Sequence, residues 1–167
     1  MAWFTDAPFT DALNAQTQVL SEYLDIIMTD EIREKLGGVY SISANVWVAP
    51  VPRGELSMQV YFACDPKRVQ ELTEAVTGIL NRTAGFSIDG DSFGKAVEAL
   101  KKEWERSMQS NSYIAQSYAN SAVLLNLPLS RLNRRPRDYD AVTETEIRNI
   151  CARLLPNGPV RVVLYPE

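Results

Sequence analysis

Residues 31–44 read E-I-R-E-K-L-G-G-V-Y-S-I-S-A: the end of a helix, a glycine pair and the opening of a strand, with Arg33 and Tyr40 seven residues apart. Upstream, Phe9, Leu13, Leu20, Tyr23, Leu24, Ile27, Ile32 and Leu36 recur mostly at spacings of three, four or seven. That period predicts a helix over residues 9–36, with Pro8 where a helix can begin. Asp25, Asp30, Glu31 and Glu34 supply its polar positions. Gly37 and Gly38 end it, because glycine accepts the left-handed conformation of a helix C-cap. From residue 39 the pattern alternates. Tyr40, Ile42, Ala44, Val46 and Val48 fall on one face of a strand over 39–48, and Ser41, Ser43, Asn45 and Trp47 on the other.

Downstream, residues 49–54 hold two prolines and a glycine, a turn. Residues 55–64 alternate again, with Leu56, Met58, Val60, Phe62 and Cys64 on one side, so the two runs form an antiparallel hairpin. Asp65-Pro66 opens the next helix as an N-cap carboxylate followed by a proline, and Val69, Leu72, Val76, Ile79 and Leu80 form its stripe as far as Gly85. A second capped helix runs from near Asp91 to about Gln109, with Phe93, Val97, Leu100, Trp104 and Met108 at helical spacing. Lys101 and Lys102 lie within helical reach of Glu98 and Glu105, a solvated surface. After a break at 110–112, residues 113–126 read as a third helix. Pro128 and Pro136 bracket a loop holding Arg131, Arg134, Arg135 and Arg137. Thr143 and Glu146 make a capping box for a helix to Leu155. Asn157-Gly158-Pro159 is a turn, and residues 160–165 read as a last apolar strand.

Helices over one face of a small, mostly antiparallel sheet make a single α+β domain across residues 1–167. Three strands are a thin sheet for five helices. A further strand before residue 1 would complete it, with Ala2-Trp3-Phe4 as its remnant and Met1 as the start of an excised piece. The sheet is thus expected to be truncated at its first strand.

Composition excludes several functions. The chain has 167 residues and a net charge of −4, which argues against general nucleic-acid binding. No run approaches the roughly 20 apolar residues of a membrane span. The opening residues lack a signal-peptide pattern, which says little about an excised piece. Cys64 and Cys151 are far apart and read as small buried hydrophobes. Histidine is absent altogether. The chain alone therefore has no Ser-His-Asp triad, no Cys-His pair and no histidine-ligated zinc. Hydrolytic or metal chemistry would need central residues on another domain or chain.

The string I-R-E-K-L-G-G-V-Y-S-I-S-A at 32–44 resembles the pitrilysin and insulin-degrading-enzyme family of zinc metallopeptidases, and more narrowly the C-terminal, non-zinc domain of its bacterial members. The 49–54 turn, the F-A-C-D-P run at 62–66, the break at 111–113 and the Pro166-Glu167 ending fall in similar order. The resemblance implies two related halves around a chamber. The first half carries H-x-x-E-H and a later glutamate, which hold zinc and activate water. It implies that this chain, lacking that motif, is inactive alone and completes a metalloendopeptidase. Its partners are then a zinc-bearing N-terminal half, in the same chain or a partner subunit, and a peptide substrate. A periplasmic setting follows from the resemblance alone. The family's substrate-binding arginine and catalytic tyrosine match Arg33 and Tyr40.

Each candidate also has a plainer reading. A cation in the last helical turn suits the macrodipole, which would account for Arg33. Tyr40 alternates with Ile42 and Ala44 and so belongs to a core face unless it sits at a strand edge or is re-aimed by the glycines. Gly37 and Gly38 are a helix stop that could also admit a substrate backbone. Trp47 lines a peptide-binding surface or covers the hairpin against a helix. The arginines at 131–137 are a solvated loop, or a contact for the other half or an acidic peptide. The rival function is a non-catalytic binding or scaffold subunit of the same fold.

Overall fold

In the computed structural model, which describes residues 1–86, 88–128 and 130–165, three antiparallel strands stand in the order β1-β3-β2. They are β1 (Ala2–Asp6), β2 (Val39–Ala49) and β3 (Glu55–Cys64). The hairpin register runs from Ala49 opposite Glu55 to Ile42 opposite Phe62. The suspected remnant is therefore a strand in its own right, on the far side of β3, with Trp3 opposite Met58.

The helices are α1 (Asp11–Met28), α2 (Val69–Gly85), α3 (Gly90–Ser107), α4 (Asn111–Tyr118), α5 (Arg131–Asp140) and α6 (Glu144–Leu154). Trp3, Ala44, Val46, Leu56, Met58 and Val60 bury the inner face of the sheet. Leu20 and Leu24 of α1, Leu72 and Leu80 of α2, and Ile147 and Leu154 of α6 close over it. Each such side chain contributes about 1.5–3 kcal/mol relative to exposure. Cys151 lies in this core, and burial pushes its thiol up to about 12.

Local caps follow the sequence with small shifts. Thr10 rather than Pro8 caps α1, its side chain accepting from the Leu13 N–H at 3.0 Å. Asp89 rather than Asp91 caps α3. The reciprocal Thr143–Glu146 capping box is present. The long first helix stays continuous but widens into a π-helix over Thr29–Leu36.

Two expectations are corrected. The arginine loop is the helix α5, and Arg131 within it is buried, its guanidinium 2.6 Å from the Asp11 carboxylate. Pro136 sits inside this helix and has no N–H for the Leu132 carbonyl. Trp104 of α3 supplies the missing donor, its indole N–H lying 3.0 Å from that oxygen. The last strand is reduced to one bridge among the described residues, Val160 to Ala2. The Pro166-Glu167 ending lies outside the described residues.

The outer edge of β2 is covered by side chains of α1. Asp25 Oδ1 accepts from the Ala44 N–H at 2.6 Å. Ser21 Oγ donates to the Ala44 carbonyl at 2.8 Å and accepts from the Val46 N–H at 3.0 Å. Burial raises the Asp25 carboxyl above its usual 3.8, with the Ala44 N–H opposing the shift. A raised folded-state value favours the protonated form, so stability falls as pH rises through the window above 3.8. Asp25→Asn keeps an acceptor and removes the charge. Thermal melts should show it stabilising at pH 7 and neutral at pH 3; a gap independent of pH would contradict this account. Trp104→Phe leaves the Leu132 carbonyl unpaired and should cost about 1–3 kcal/mol in denaturant unfolding, whereas a cost near zero would deny the indole its role.

Candidate active-site surface

The π-helix sets up the first half of the site. Five residues per hydrogen-bonded turn bring positions i and i+5 together, and Lys35 accordingly reaches Asp30 at 2.6 Å. Ile32 anchors the turn in the core. Arg33 beside it points to solvent and makes a loose ionic contact to Glu34 at 3.6 Å. Helical π segments often mark functional positions.

Gly37 and Gly38 then reverse the chain with φ of +65° and +92°. Side-chain-bearing residues rarely adopt two such values in succession. Arg68, just ahead of α2, holds the turn from outside. Its Nη1 donates to the Gly37 carbonyl at 3.0 Å, while Nε and Nη2 grip Glu71 at 2.9 and 2.7 Å. A Cβ built on Gly38 would lie 1.8 Å from Arg68 Nη1.

The strand begins with an irregularity between Val39 and Ser41. Val39 pairs with Cys64 and Ser41 with Ala63, so Tyr40 is the extra residue of a β-bulge. The bulge overturns the alternation that placed Tyr40 with Ile42 and Ala44. Those two are buried, whereas Tyr40 is 90% exposed. Its hydroxyl makes no hydrogen bond among the described residues.

Trp47 lies on the open face of the sheet. It stands opposite Ser57, which faces Phe4 on the other side. Ser57 is fully buried between them, while Trp47 and Phe4 remain 40% and 42% exposed. Trp47 is thus half of an aromatic row on the face away from the core, joined by exposed Tyr61.

The arginines at 131–137 do not join this surface as a loop. Arg131 packs over the Phe9 ring at 5.4 Å, and Arg134 shares Asp11 at 2.8 Å. Sequence reasoning missed Arg68, which reaches back 31 residues to its carbonyl and has no local signal beyond its place at a helix start.

Among the described residues no three His, Cys, Asp or Glu side chains cluster closely enough to hold a metal ion. The donor set present therefore does not fit zinc. No helix among them is long and apolar enough to cross a membrane.

No family model matches the chain. In sequence it is similar to a Haemophilus influenzae protein named "Probable zinc protease PqqL", 28% identical over 121 residues, spanning 70% of this chain and 12% of that protein. In structure it is similar to the periplasmic protease PqqL of Escherichia coli, with a TM-score of 0.66, 20% identity and coverage of 93% of this chain and 17% of the other. It is also similar to a peptidase M16 inactive domain from Pseudomonas fluorescens, with a TM-score of 0.68, 20% identity and coverage of 92% and 37%. The chain has the fold of a pitrilysin-type, or M16, peptidase domain. The domain spans about an eighth of the zinc-protease relative that it matches.

Gly38→Ala tests the turn. Forcing alanine to φ +92° against Arg68 should cost about 1–2 kcal/mol. Denaturant unfolding measures it, and a stability unchanged from wild type would show that the turn is not under this constraint.

Proposed function

We propose that this domain completes the active site of a longer zinc metalloendopeptidase. In this reading zinc and the general base belong to a zinc-bearing half, in the same chain or a partner subunit, and this domain faces the peptide. Tyr40 donates a hydrogen bond to the oxyanion that develops as the scissile carbonyl becomes tetrahedral. Arg33 binds substrate backbone carbonyls with its fork of donors and sets their register. Gly37 and Gly38 let the substrate backbone approach, and Trp47 offers an apolar surface alongside.

The observation that carries the reading is the placement of Tyr40. A bulge turns it out to 90% exposure, directly after a glycine turn that joins it to an exposed Arg33. A tyrosine serving only the core would have followed Ile42 inward. The sequence similarity to a zinc protease supports the same reaction class, and the E. coli protein's periplasmic setting supports that compartment for this one.

The experiment uses the intact enzyme. Tyr40→Phe should lower kcat on the order of 10²–10³-fold while KM changes little, since the hydroxyl acts on charge formed in the transition state. Arg33→Ala should raise KM as well. Turnover unchanged by Tyr40→Phe would remove the oxyanion role and favour the non-catalytic scaffold subunit.

A further inference from the structure

The hairpin brings two distant turns together. Val39 at the start of β2 stands opposite Cys64 at the end of β3. The chain leaving Cys64 therefore emerges beside Gly37 and Gly38. It is fixed at once by a short turn around Pro66. The Asp65 side chain accepts from the Lys67 N–H at 2.8 Å, and the Asp65 carbonyl accepts from the Arg68 N–H at 2.9 Å. That turn presents Arg68 to the glycine pair.

Every nitrogen of the Arg68 guanidinium is engaged there. Nη1 donates to the Gly37 carbonyl at 3.0 Å, and Nε and Nη2 donate to the two carboxylate oxygens of Glu71 at 2.9 and 2.7 Å. Glu71 lies one turn further along α2, where helical spacing puts it in reach. A fork-to-fork pair fixes the plane of a guanidinium as well as its position. Arg68 in turn holds the Glu71 carboxyl below its usual 4.5, so the pair is ionised at neutral pH. The fixed plane lies against Gly38, where a Cβ would sit 1.8 Å from Nη1. At the other end of the π-helix, Arg82 in the last turn of α2 pairs with Glu31. One helix thus grips the π segment at both ends, and Arg33 projects from the span between.

Two successive glycines are a link that does not determine its own shape. Their positive φ values are permitted by the missing Cβ but not enforced by it. The carbonyls at a helix end also lack partners inside the helix. A donor from outside on the Gly37 carbonyl fixes the peptide plane between the two glycines, and with it the direction in which the chain enters the bulge at Tyr40. We propose that Arg68, oriented by Glu71, is a positioning residue that sets the placement of Tyr40 against Arg33. This rests on the reading of those two as groups that contact the substrate. A displacement of about 1 Å can cost on the order of 10²-fold in rate, so a residue acting only through the turn governs turnover.

Kinetics and hydrogen exchange on the intact enzyme test this. Arg68→Ala should lower kcat on the order of 10–100-fold. Arg68→Lys can reach the carbonyl but cannot fork onto Glu71, and should lose less. Glu71→Gln, a change at a half-exposed carboxylate, should also lower kcat with the fold kept. In a Tyr40→Phe background, Arg68→Ala should alter kcat by no more than about twofold, because the hydroxyl it positions is gone. Exchange over residues 39–41 should rise on the order of tenfold in Arg68→Ala, while residues 56–59, paired with β1, stay as protected as in wild type. A kcat that Arg68→Ala and Glu71→Gln both leave unchanged overturns the proposal. So does an equal kcat loss with and without the Tyr40 hydroxyl, or exchange that rises evenly across the sheet, either of which makes Arg68 purely structural. Full turnover in Tyr40→Phe overturns the active-site reading on which this rests. An impaired Tyr40→Phe beside an unaffected Arg68→Ala overturns this proposal alone.

Discussion

The contact between α1 and the edge of β2 organises this domain. A strand edge left bare exposes a row of donors and acceptors, and here Ser21 and Asp25 take the places that another strand would fill. The helix is thereby tied to the strand by hydrogen bonds as well as by Leu20 and Leu24 in the core. With helix and strand locked side by side, the link between them has to reverse within two residues. Gly37 and Gly38 do so with positive φ at both. Arg33 and Tyr40 flank that reversal, so the geometry of the candidate site descends from the helix–strand contact.

Side chains stand in for backbone partners elsewhere too. Trp104 serves the carbonyl that Pro136 cannot, and Arg68 serves the Gly37 carbonyl at the end of the π-helix. Buried or crowded peptide groups must be paired somehow. Where secondary structure is broken by proline, by glycine or at a sheet edge, a long polar side chain from a distant element closes the account. These are the contacts that hold a site of irregular backbone on a regular scaffold. The outer face of the sheet is different. It leaves Phe4, Trp47 and Tyr61 exposed, and beyond β1 it is met by the isolated Val160–Ala2 bridge.

Much of this was legible in the sequence. The amphipathic period of the first helix, its glycine stop, the hairpin, the Asp65-Pro66 start and the Thr143 capping box all appear where local chemistry puts them, because each depends on residues within one or two turns of one another. The lack of histidine likewise settled that the donors for a histidine-bound zinc are not in this chain. The resemblance carried by residues 32–44 pointed to the pitrilysin-type fold that the structure adopts.

What only the tertiary structure decided is the facing of particular side chains. Alternation alone sends Tyr40 inward, and a bulge set by pairing with Cys64 and Ala63, over twenty residues away, sends it out. Two prolines and four arginines read as a loop. Yet a tryptophan from α3 and an aspartate at the start of α1 make a helix there and bury Arg131. An apolar run at 160–165 reads as a strand, but a strand is made by pairing, and among the described residues this run pairs with β1 at Val160 alone. Period and composition encode what a segment prefers; which partner reaches its backbone, across the whole chain, is settled only when the elements pack.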